Sequence, residues 1–294
     1  MDNKKMKVAI LGPLGTYTHE AAFKAFGSQV IYDERKSIAD VFNSLSPILP
    51  LGVVPQENSI FGNVVETYDL LREANSSNFI RGEITLKVEH CLVVKKGVKL
   101  HHIQKVMSHE QALGQCRKFL VEKLPLAQAI KTQSTAAAAQ ALLNNTPDCA
   151  AICSSICATL FEGIEVLFTN IQNEQSNYTR FYISAHSRDM DLTRVLTKCQ
   201  MKALFRISTP PQGPQPTPNE IVKYLKALDL RAARIDRRPC LNSKPFNSVY
   251  FVEVHGCSGG QGTDEMLKAW SVEVEKAGKR VKSEGGEVEV IGIW

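Results

Sequence analysis

Short apolar runs alternate with amphipathic segments through the first two thirds of the chain, and this alternation is the strongest constraint on its fold. Residues 8–11 and 51–54 have the composition of buried strands. Residues 19–26, 37–45 and 62–73 have the spacing of amphipathic helices. Because strands that alternate with helices usually pair in parallel, the pattern predicts an α/β fold built on a mainly parallel sheet.

Small polar residues and glycine mark the predicted ends of these helices. Thr18, Ser37 and Ser134 are predicted N-caps, and Gly27 is a predicted helix stop. The alternation predicts further strands at residues 84–94, 106–108, 130–132, 150–152, 166–168 and 181–184. It predicts further helices at residues 109–120 and 134–143.

The C-terminal third has a different order of predicted helices and strands. Residues 187–199 are polar and charged, and we predict that they form a linker. After a strand at 201–208 comes a proline-rich loop at 209–218. The remaining predicted elements are a helix at 219–229, strands at 230–237 and 249–254, a helix at 263–277 and a strand at 288–293. This βαββαβ order is typical of a ferredoxin-like domain.

Composition narrows the class of protein. The net charge of +5 arises from 35 basic and 30 acidic residues, which are scattered rather than clustered. The sequence therefore lacks the basic stripe expected of a nucleic-acid-binding protein. No apolar run approaches the ~18 residues that a membrane span needs, and the N-terminus lacks a signal-peptide pattern. We predict a cytoplasmic protein with neither nucleic acid nor membrane as a partner.

The eight cysteines lack the spacing of a metal site. Cys149, Cys153 and Cys157 recur every four residues, and we predict that they are reduced, apolar core residues. No metal is expected. The segment 12–15 is not a dinucleotide-binding glycine motif, and the signatures of P-loop, zinc-protease and serine-hydrolase sites are absent.

Four predicted loop-to-helix junctions carry small polar residues: 15–18, 57–59, 108–111 and 134–135. In an open α/β sheet, ligands bind beyond the carboxyl ends of the strands, where helix N-termini favour anions. The alternative is that these polar residues are ordinary caps. His109 is the one histidine at a junction that could face a cleft, and the favoured alternative is a packed or solvated side chain.

The segment 177–181, Asn-Tyr-Thr-Arg-Phe, is the densest polar motif. Thr179 offers a hydroxyl group, and Arg180 offers a planar guanidinium suited to a carboxylate. The alternative is a loop that leads into an edge strand.

Five blocks of the sequence, in chain order, resemble the prephenate dehydratase family, and the resemblance covers nearly the whole chain. The blocks are Gly12-Pro13-Leu14-Gly15-Thr16-Tyr17-Thr18; Gly52 to Ser59 with Gly62 and Thr67; His109 with Gln111-Ala112-Leu113 and Gln115-Cys116; Ser134-Thr135-Ala136 with Ala138-Ala139; and Asn177 with Thr179-Arg180-Phe181. Glu110 and Thr18 replace a proline and a serine that are usual in the family.

The resemblance implies a catalytic domain at 1–186 with two α/β lobes around a cleft, as in periplasmic binding proteins. Lobe one would comprise about 1–82 with 178–186, and lobe two about 83–177. The implied reaction is the decarboxylative dehydration of prephenate to phenylpyruvate, a carbon–oxygen lyase reaction in phenylalanine biosynthesis, without a cofactor. Arogenate dehydratase, or a non-catalytic sensor with the same cleft, remains an alternative.

Residue roles carry over by the same resemblance. Thr179 and Arg180 are the expected catalytic residues, with Thr179 beside the leaving hydroxyl. The expected substrate-binding residues are Thr16, Tyr17, Asn58, Ser59, Gln111, Ser134, Thr135, Asn177 and Phe181.

Residues 200–294 resemble an ACT regulatory domain, which in relatives binds phenylalanine. Lys202-Ala203-Leu204 stands where the family has Gly-Ala-Leu, and 236–239 reads Asp-Arg-Arg-Pro instead of Glu-Ser-Arg-Pro. The expected effector-binding residues are Ala203, Leu204, Asp236, Arg238 and Pro239. The resemblance also implies a homodimer or homotetramer.

Overall fold

The structure, a computed structural model, describes residues 5–73, 78–190, 201–208, 218–241, 245–256 and 264–294. Most of the predicted linker and of the proline-rich loop lies outside the described residues.

The chain divides into two compact units, each built from separate segments. The first unit comprises Met1–Ser44, Gly52–Val64 and Ile84–Phe181. The second unit comprises Leu45–Leu51, Val65–Glu83 and Tyr182–Trp294. The domain limits expected from the sequence remain predictions.

Strands and helices alternate along the chain in both units. The strands are β1 (Lys7–Leu11), β2 (Ile31–Arg35), β3 (Leu51–Asn58), β4 (Gly62–Asn63), β5 (Phe79–Lys87), β6 (Cys91–Lys95), β7 (Lys105–Ser108), β8 (Gln128–Lys131), β9 (Cys149–Cys153), β10 (Ile164–Phe168), β11 (Tyr178–Ala185), β12 (Lys202–Ser208), β13 (Arg231–Pro239), β14 (Ser248–His255) and β15 (Glu287–Ile293). The helices are α1 (Tyr17–Phe26), α2 (Ile38–Ser44), α3 (Val65–Leu71), α4 (Glu110–Gln115), α5 (Arg117–Lys123), α6 (Thr135–Leu142), α7 (Ile156–Leu160), α8 (Pro218–Leu228) and α9 (Asp264–Ser283). The predicted α/β class is confirmed.

The first unit contains one sheet that is complete within it, with strand order β10–β6–β9–β7–β8. Its β7 pairs in parallel with β8 and β9, whereas β6 pairs antiparallel with β9 and β10. All five residues of β9 are buried, because helices cover both faces of the sheet. In the other sheet of this unit, β1 pairs in parallel with β2, and β3 forms a short hairpin with β4.

The second unit contains the antiparallel strand order β13–β14–β12–β15. Together with α8 and α9, these strands follow the βαββαβ order, so the predicted ferredoxin-like order is confirmed. Ala203, Phe205 and Ile207 alternate along β12 and pack into one apolar core with Trp270 and Val274 of α9.

Several predicted boundaries are wrong for local reasons. Helix α1 begins at Tyr17, and its N-cap is Thr16 rather than Thr18. The Thr16 hydroxyl accepts a hydrogen bond from the backbone N–H of His19 and donates one to the carbonyl of Leu11. Thr18 instead lies buried in the first turn. The predicted caps Ser37 and Ser134 are confirmed by hydrogen bonds to backbone N–H groups one turn ahead.

Other predicted elements are divided or were missed. The predicted helix at 62–73 begins only at Val65, because Gly62 and Asn63 pair with β3 in the hairpin. The predicted strand at 84–94 is two strands separated at 88–90, and the predicted helix at 109–120 is interrupted at Cys116. Strand β2 was missed because charged residues dominate it, as is common in an edge strand.

The prediction that the three regularly spaced cysteines are core residues is confirmed, since Cys149, Cys153 and Cys157 are buried. Burial also raises the pKa of Cys91 to about 11 and that of Cys116 to about 12. These two thiols are therefore protonated at neutral pH and are weak nucleophiles.

The described residues contain no cluster of three or more His, Cys, Asp or Glu side chains arranged to hold a metal ion. No helix formed by the described residues is both long and apolar enough to cross a lipid bilayer.

Gly15, just before α1, is expected to be the least replaceable glycine of the first unit. Its φ is +96°, and an added Cβ would lie 2.9 Å from the Sγ of Cys157 and 3.3 Å from the Cβ of Ala136. We expect Gly15→Ala to lower the free energy of unfolding by about 1–3 kcal/mol, measured by urea denaturation. Gly163→Ala is the control, because Gly163 has φ +94° but no neighbour within 4 Å. Equal losses in both variants would contradict a packing role for Gly15.

Candidate active site

A cavity of about 500 Å³ lies within the first unit and is lined from both of its sheets. Its polar lining residues are Thr16, Tyr17, Thr18, Asn58, Asn63, His90, His109, Gln111, Gln115, Gln133, Ser134, Thr135, Asn177 and Thr179. Its apolar lining residues include Leu11, Pro55, Phe61, Val64, Val88, Ala112 and Phe181. Nine of the residues that we predicted to act on substrate therefore lie around one cavity.

The Thr179 hydroxyl is held by Asn58. The Asn58 amide nitrogen donates to Thr179 Oγ1 at 2.9 Å and to Asn177 Oδ1 at 2.7 Å. The Asn58 Oδ1 accepts from the backbone N–H groups of Ile60 and Phe61, at 3.0 and 3.1 Å, so the orientation of the amide is determined by its surroundings. Because Asn58 donates to Thr179, the hydroxyl proton of Thr179 remains available for another acceptor.

Strand geometry explains why Thr179 and Arg180 are separated. Successive side chains of β11 point to opposite faces, so Thr179 and Phe181 line the cavity and Arg180 does not. The guanidinium of Arg180 lies 3.9 Å from a carboxylate oxygen of Glu57. The catalytic role of Arg180 stays a prediction.

Ser59 also lies outside the cavity lining. Its hydroxyl accepts from the N–H of Tyr178 at 2.9 Å and donates to the carbonyl of Ser176 at 3.1 Å. A backbone bond of 2.8 Å from Ser59 to Tyr178 completes the link. These hydrogen bonds link the end of β3 to the start of β11. The role of Ser59 in binding substrate stays a prediction.

Two of the predicted binding residues cap helices. The hydroxyl oxygens of Thr16 and Ser134 accept from N–H groups in the first turns of α1 and α6. Thr135 is the first residue of α6 and also lines the cavity. The first N–H groups of a helix lack partners within the helix, and together with the helix dipole they favour an anion.

The cavity presents neutral donors rather than full charges. Among the described residues that line it, none is Asp, Glu, Lys or Arg. An anion in this cavity would therefore be held by hydroxyl, amide and imidazole groups and by helix N-termini. His109 contributes in the same way as a cap, because its Nδ1 accepts from the N–H of Gln111 at 3.4 Å.

The sequence analysis missed His90, which is buried in the cavity wall. Its Nδ1 lies 2.5 Å from the Tyr17 hydroxyl, and its Nε2 lies 2.5 Å from the Oε1 of Gln115. Burial lowers the pKa of His90 and raises that of Tyr17. His90 follows no recognisable junction in the sequence, since it lies inside what we predicted as a single strand.

The predicted effector residues lie in the second unit. Ala203 and Leu204 are fully buried on opposite faces of β12, and Ala203 belongs to the apolar core. Asp236 forms an ion pair of 2.7 Å with Arg234.

Arg238 and Pro239 both contact the α3 segment of the second unit. The Arg238 guanidinium donates to both carboxylate oxygens of Asp69, at 2.6 and 2.9 Å. The carbonyl of Pro239 accepts from Arg72 at 3.0 Å. The effector role of these residues stays a prediction.

Comparison with known proteins agrees with the motifs. The family model for prephenate dehydratase matches residues 8–189. A bifunctional chorismate mutase/prephenate dehydratase from Aquifex aeolicus (strain VF5) is 33% identical over 270 residues, which cover 90% of this chain and 70% of the relative. The chain spans about two thirds of the length of the curated relatives that it matches.

Solved structures share the fold. The crystal structure of prephenate dehydratase from Arthrobacter aurescens, in complex with L-Phe, has a TM-score of 0.76 at 22% identity and covers 98% of this chain and 90% of that chain. A structure described as GqqA, a quorum-quenching acylase, has a TM-score of 0.75 at 21% identity, covering 98% of this chain and 97% of that chain. At these identities the likeness concerns the fold alone. The family model and the Aquifex relative determine the assignment: the chain belongs to the prephenate dehydratase family of lyases.

Proposed function

We propose that the cavity binds prephenate and converts it into phenylpyruvate, carbon dioxide and water. The observation that carries the proposal is the Thr179 hydroxyl, which Asn58 orients at the cavity wall with its proton available. The Thr179 hydroxyl lies among neutral donors and helix N-termini that suit a dianion.

The chemistry requires positioning more than activation. Prephenate carries a ring carboxylate, a pyruvyl carboxylate and a ring hydroxyl. Loss of carbon dioxide provides the electron pair that aromatises the ring as the C–O bond breaks, and the departing hydroxide takes up one proton to become water. The protein must hold two carboxylates, exclude water and stabilise the departing oxygen.

Thr179 is suited to the last of these tasks. A threonine hydroxyl is too weak an acid to be a free proton source, but it can donate a hydrogen bond that strengthens as negative charge develops on the leaving oxygen. The apolar lining residues Val64, Val88 and Phe181 provide a dry surface for the ring.

The reaction is tested by incubating the purified protein with prephenate and, separately, with arogenate. Formation of phenylpyruvate from prephenate supports the proposal. Conversion of arogenate alone would assign the chain to arogenate dehydratases. Tight binding of prephenate by calorimetry without conversion would identify a sensor and overturn the proposal.

Phe61, at the tip of the β3–β4 hairpin, is expected to pack on the substrate ring. It lines the cavity, yet its side chain is 58% exposed. We expect Phe61→Ala to raise KM for prephenate about tenfold with little change in kcat, from the loss of roughly 1.5 kcal/mol of apolar burial. The control is Ile60→Ala, because Ile60 is 45% exposed on the same tip but is outside the lining. A normal KM in Phe61→Ala would contradict this contact.

We further propose that phenylalanine slows turnover by binding to an ACT domain in residues 200–294. The Arthrobacter relative was solved with L-Phe, and the βαββαβ order of the second unit supports the idea. Rate assays and calorimetry with millimolar phenylalanine test it, and the absence of any response would contradict it. We also propose a cytoplasmic homodimer or homotetramer, whose mass sedimentation equilibrium would measure.

A further inference from the structure

Tyr17, His90 and Gln115 form a hydrogen-bonded chain in the cavity wall, and all three line the cavity. These hydrogen bonds connect three parts of the first unit: Tyr17 in the first turn of α1, His90 between β5 and β6, and Gln115 at the end of α4. We infer that this Tyr17–His90–Gln115 chain makes the Tyr17 oxygen a hydrogen-bond acceptor that recognises the ring hydroxyl of the substrate. The inference rests on the proposed function and adds a specificity-determining role.

The direction of the hydrogen bonds follows from the partners of His90. The Gln115 Oε1 can only accept, so the Nε2 of His90 carries the proton and donates it. The Nδ1 of the neutral ring then has a lone pair, and it accepts the proton of the Tyr17 hydroxyl. Burial of His90 favours this neutral ring.

A second acceptor lies next to the same hydroxyl. The carbonyl of Glu89 is 3.5 Å from the Tyr17 oxygen. If the imidazole carried its proton on Nδ1 instead, the Tyr17 proton would turn to this carbonyl. With either tautomer the Tyr17 proton is used inside the protein. The Tyr17 oxygen keeps both lone pairs for a ligand when Nδ1 is bare, and one lone pair when Nδ1–H donates to it.

An acceptor in this cavity selects for one group of the substrate. Under neutral conditions the carboxylates and the ketone of prephenate accept hydrogen bonds, and the ring hydroxyl is its one donor. Tyr17 would accept from that hydroxyl while Thr179 donates to it, which fixes the C–O bond between them. Phenylpyruvate has lost this donor, so the product leaves the Tyr17 acceptor unpaired, and this favours release.

His90 acts here as a positioning residue, through Tyr17. The backbone N–H of His90 donates to the Oε1 of Gln172 at 2.9 Å, which fixes the main chain on which the imidazole is carried. The imidazole is thus held by its backbone and by both ring nitrogens.

The first experiment compares three ligands in wild type and Tyr17→Phe: prephenate, its analogue with hydrogen in place of the ring hydroxyl, and phenylpyruvate. We expect Tyr17→Phe to raise KM for prephenate about 2- to 10-fold. The inhibition constants of the deoxy analogue and of phenylpyruvate should change less than about twofold, because neither offers the donor. Equal weakening of all three ligands, or none with prephenate, would overturn the inference.

Tyr32→Phe is the matched control. The Tyr32 hydroxyl donates to the carbonyl of Gly27 at 2.6 Å and is outside the cavity lining. We expect this variant to bind all three ligands as wild type does.

The second experiment tests His90 itself. His90→Asn places a carbonyl oxygen near the former Nδ1 and should retain most of the affinity for prephenate, whereas His90→Leu should lose as much as Tyr17→Phe. In the Tyr17→Phe background His90→Leu should add no further loss. Additive losses would show a merely structural role and overturn the inference. Nitrogen NMR of the imidazole should show a proton on Nε2 and a bare Nδ1.

These experiments separate two kinds of failure. If the wild type binds prephenate without converting it, the proposed function fails, but calorimetry with prephenate and its deoxy analogue still tests the Tyr17 acceptor. If turnover is normal and Tyr17→Phe does not distinguish the two ligands, the inference alone fails.

Discussion

Thr179→Ala is expected to lower kcat for prephenate by about 10²–10³, which corresponds to the loss of ~2.7–4 kcal/mol of transition-state stabilisation from one preorganised donor. The side chain is half-buried at the cavity wall, and its oxygen is held by Asn58 at 2.9 Å. Because the lost interaction strengthens as the hydroxide departs, kcat should fall far more than KM rises. Steady-state kinetics with prephenate measures both constants.

Two further substitutions separate the hydroxyl from the shape of the side chain. Thr179→Ser keeps the hydroxyl and should retain much of the activity, whereas Thr179→Val keeps the branched shape and should be as impaired as Thr179→Ala. Circular dichroism and the denaturation midpoint establish that each variant is folded. Near-normal turnover by folded Thr179→Ala would exclude Thr179 as the group that assists the leaving oxygen.

Lys202→Met is expected to have the largest effect on stability, about 3–5 kcal/mol in the second unit. The Lys202 ammonium lies 2.8 Å from Glu83 and 3.1 Å from Glu253, and the three side chains are 12%, 4% and 2% exposed, respectively. Removing the cation leaves two carboxylates buried close together, and neither can recover its full hydration. Chemical denaturation measures the loss.

A solvated ion pair of the same unit provides the control for Lys202. Lys223 and Glu284 lie 2.9 Å apart with side chains 53% and 48% exposed. Lys223→Met should change the free energy of unfolding by less than about 1 kcal/mol, because water screens an exposed pair. If Lys202→Met lowered the free energy of unfolding no more than Lys223→Met, the result would contradict a stabilising role for the buried ion pairs of Lys202 with Glu83 and Glu253.

The helix caps and strands that were predicted correctly are determined by residues close to them in the sequence. The hydroxyls of Ser37 and Ser134 cap helices through N–H groups three residues ahead, so local sequence is enough to find them. The apolar run of β9 is strand-like because both of its faces are buried, and buried runs are visible in composition. The polar residues at strand ends were recognised as a group because parallel strands bring such ends together.

Two of the prediction errors arise at different ranges in the sequence. Thr16 rather than Thr18 caps α1 through local contacts, since its hydroxyl accepts from the N–H of His19 and donates to the carbonyl of Leu11. The charged strand β2 exists because it pairs with β1. The pleat of β11 sends the side chains of Thr179 and Arg180 to opposite faces, and the catalytic role of Arg180 stays a prediction.

The sequence by itself determined the family, the α/β class and the candidate threonine, because these follow from ordered motifs and from the periods of apolar residues. Only the tertiary structure decided that Asn58 donates to Thr179 and that His90 lies against Tyr17. The physical reason is the separation in sequence of the interacting groups. Helix and strand periods extend over a few residues, whereas the hydrogen bond from Asn58 to Thr179 joins groups 121 residues apart.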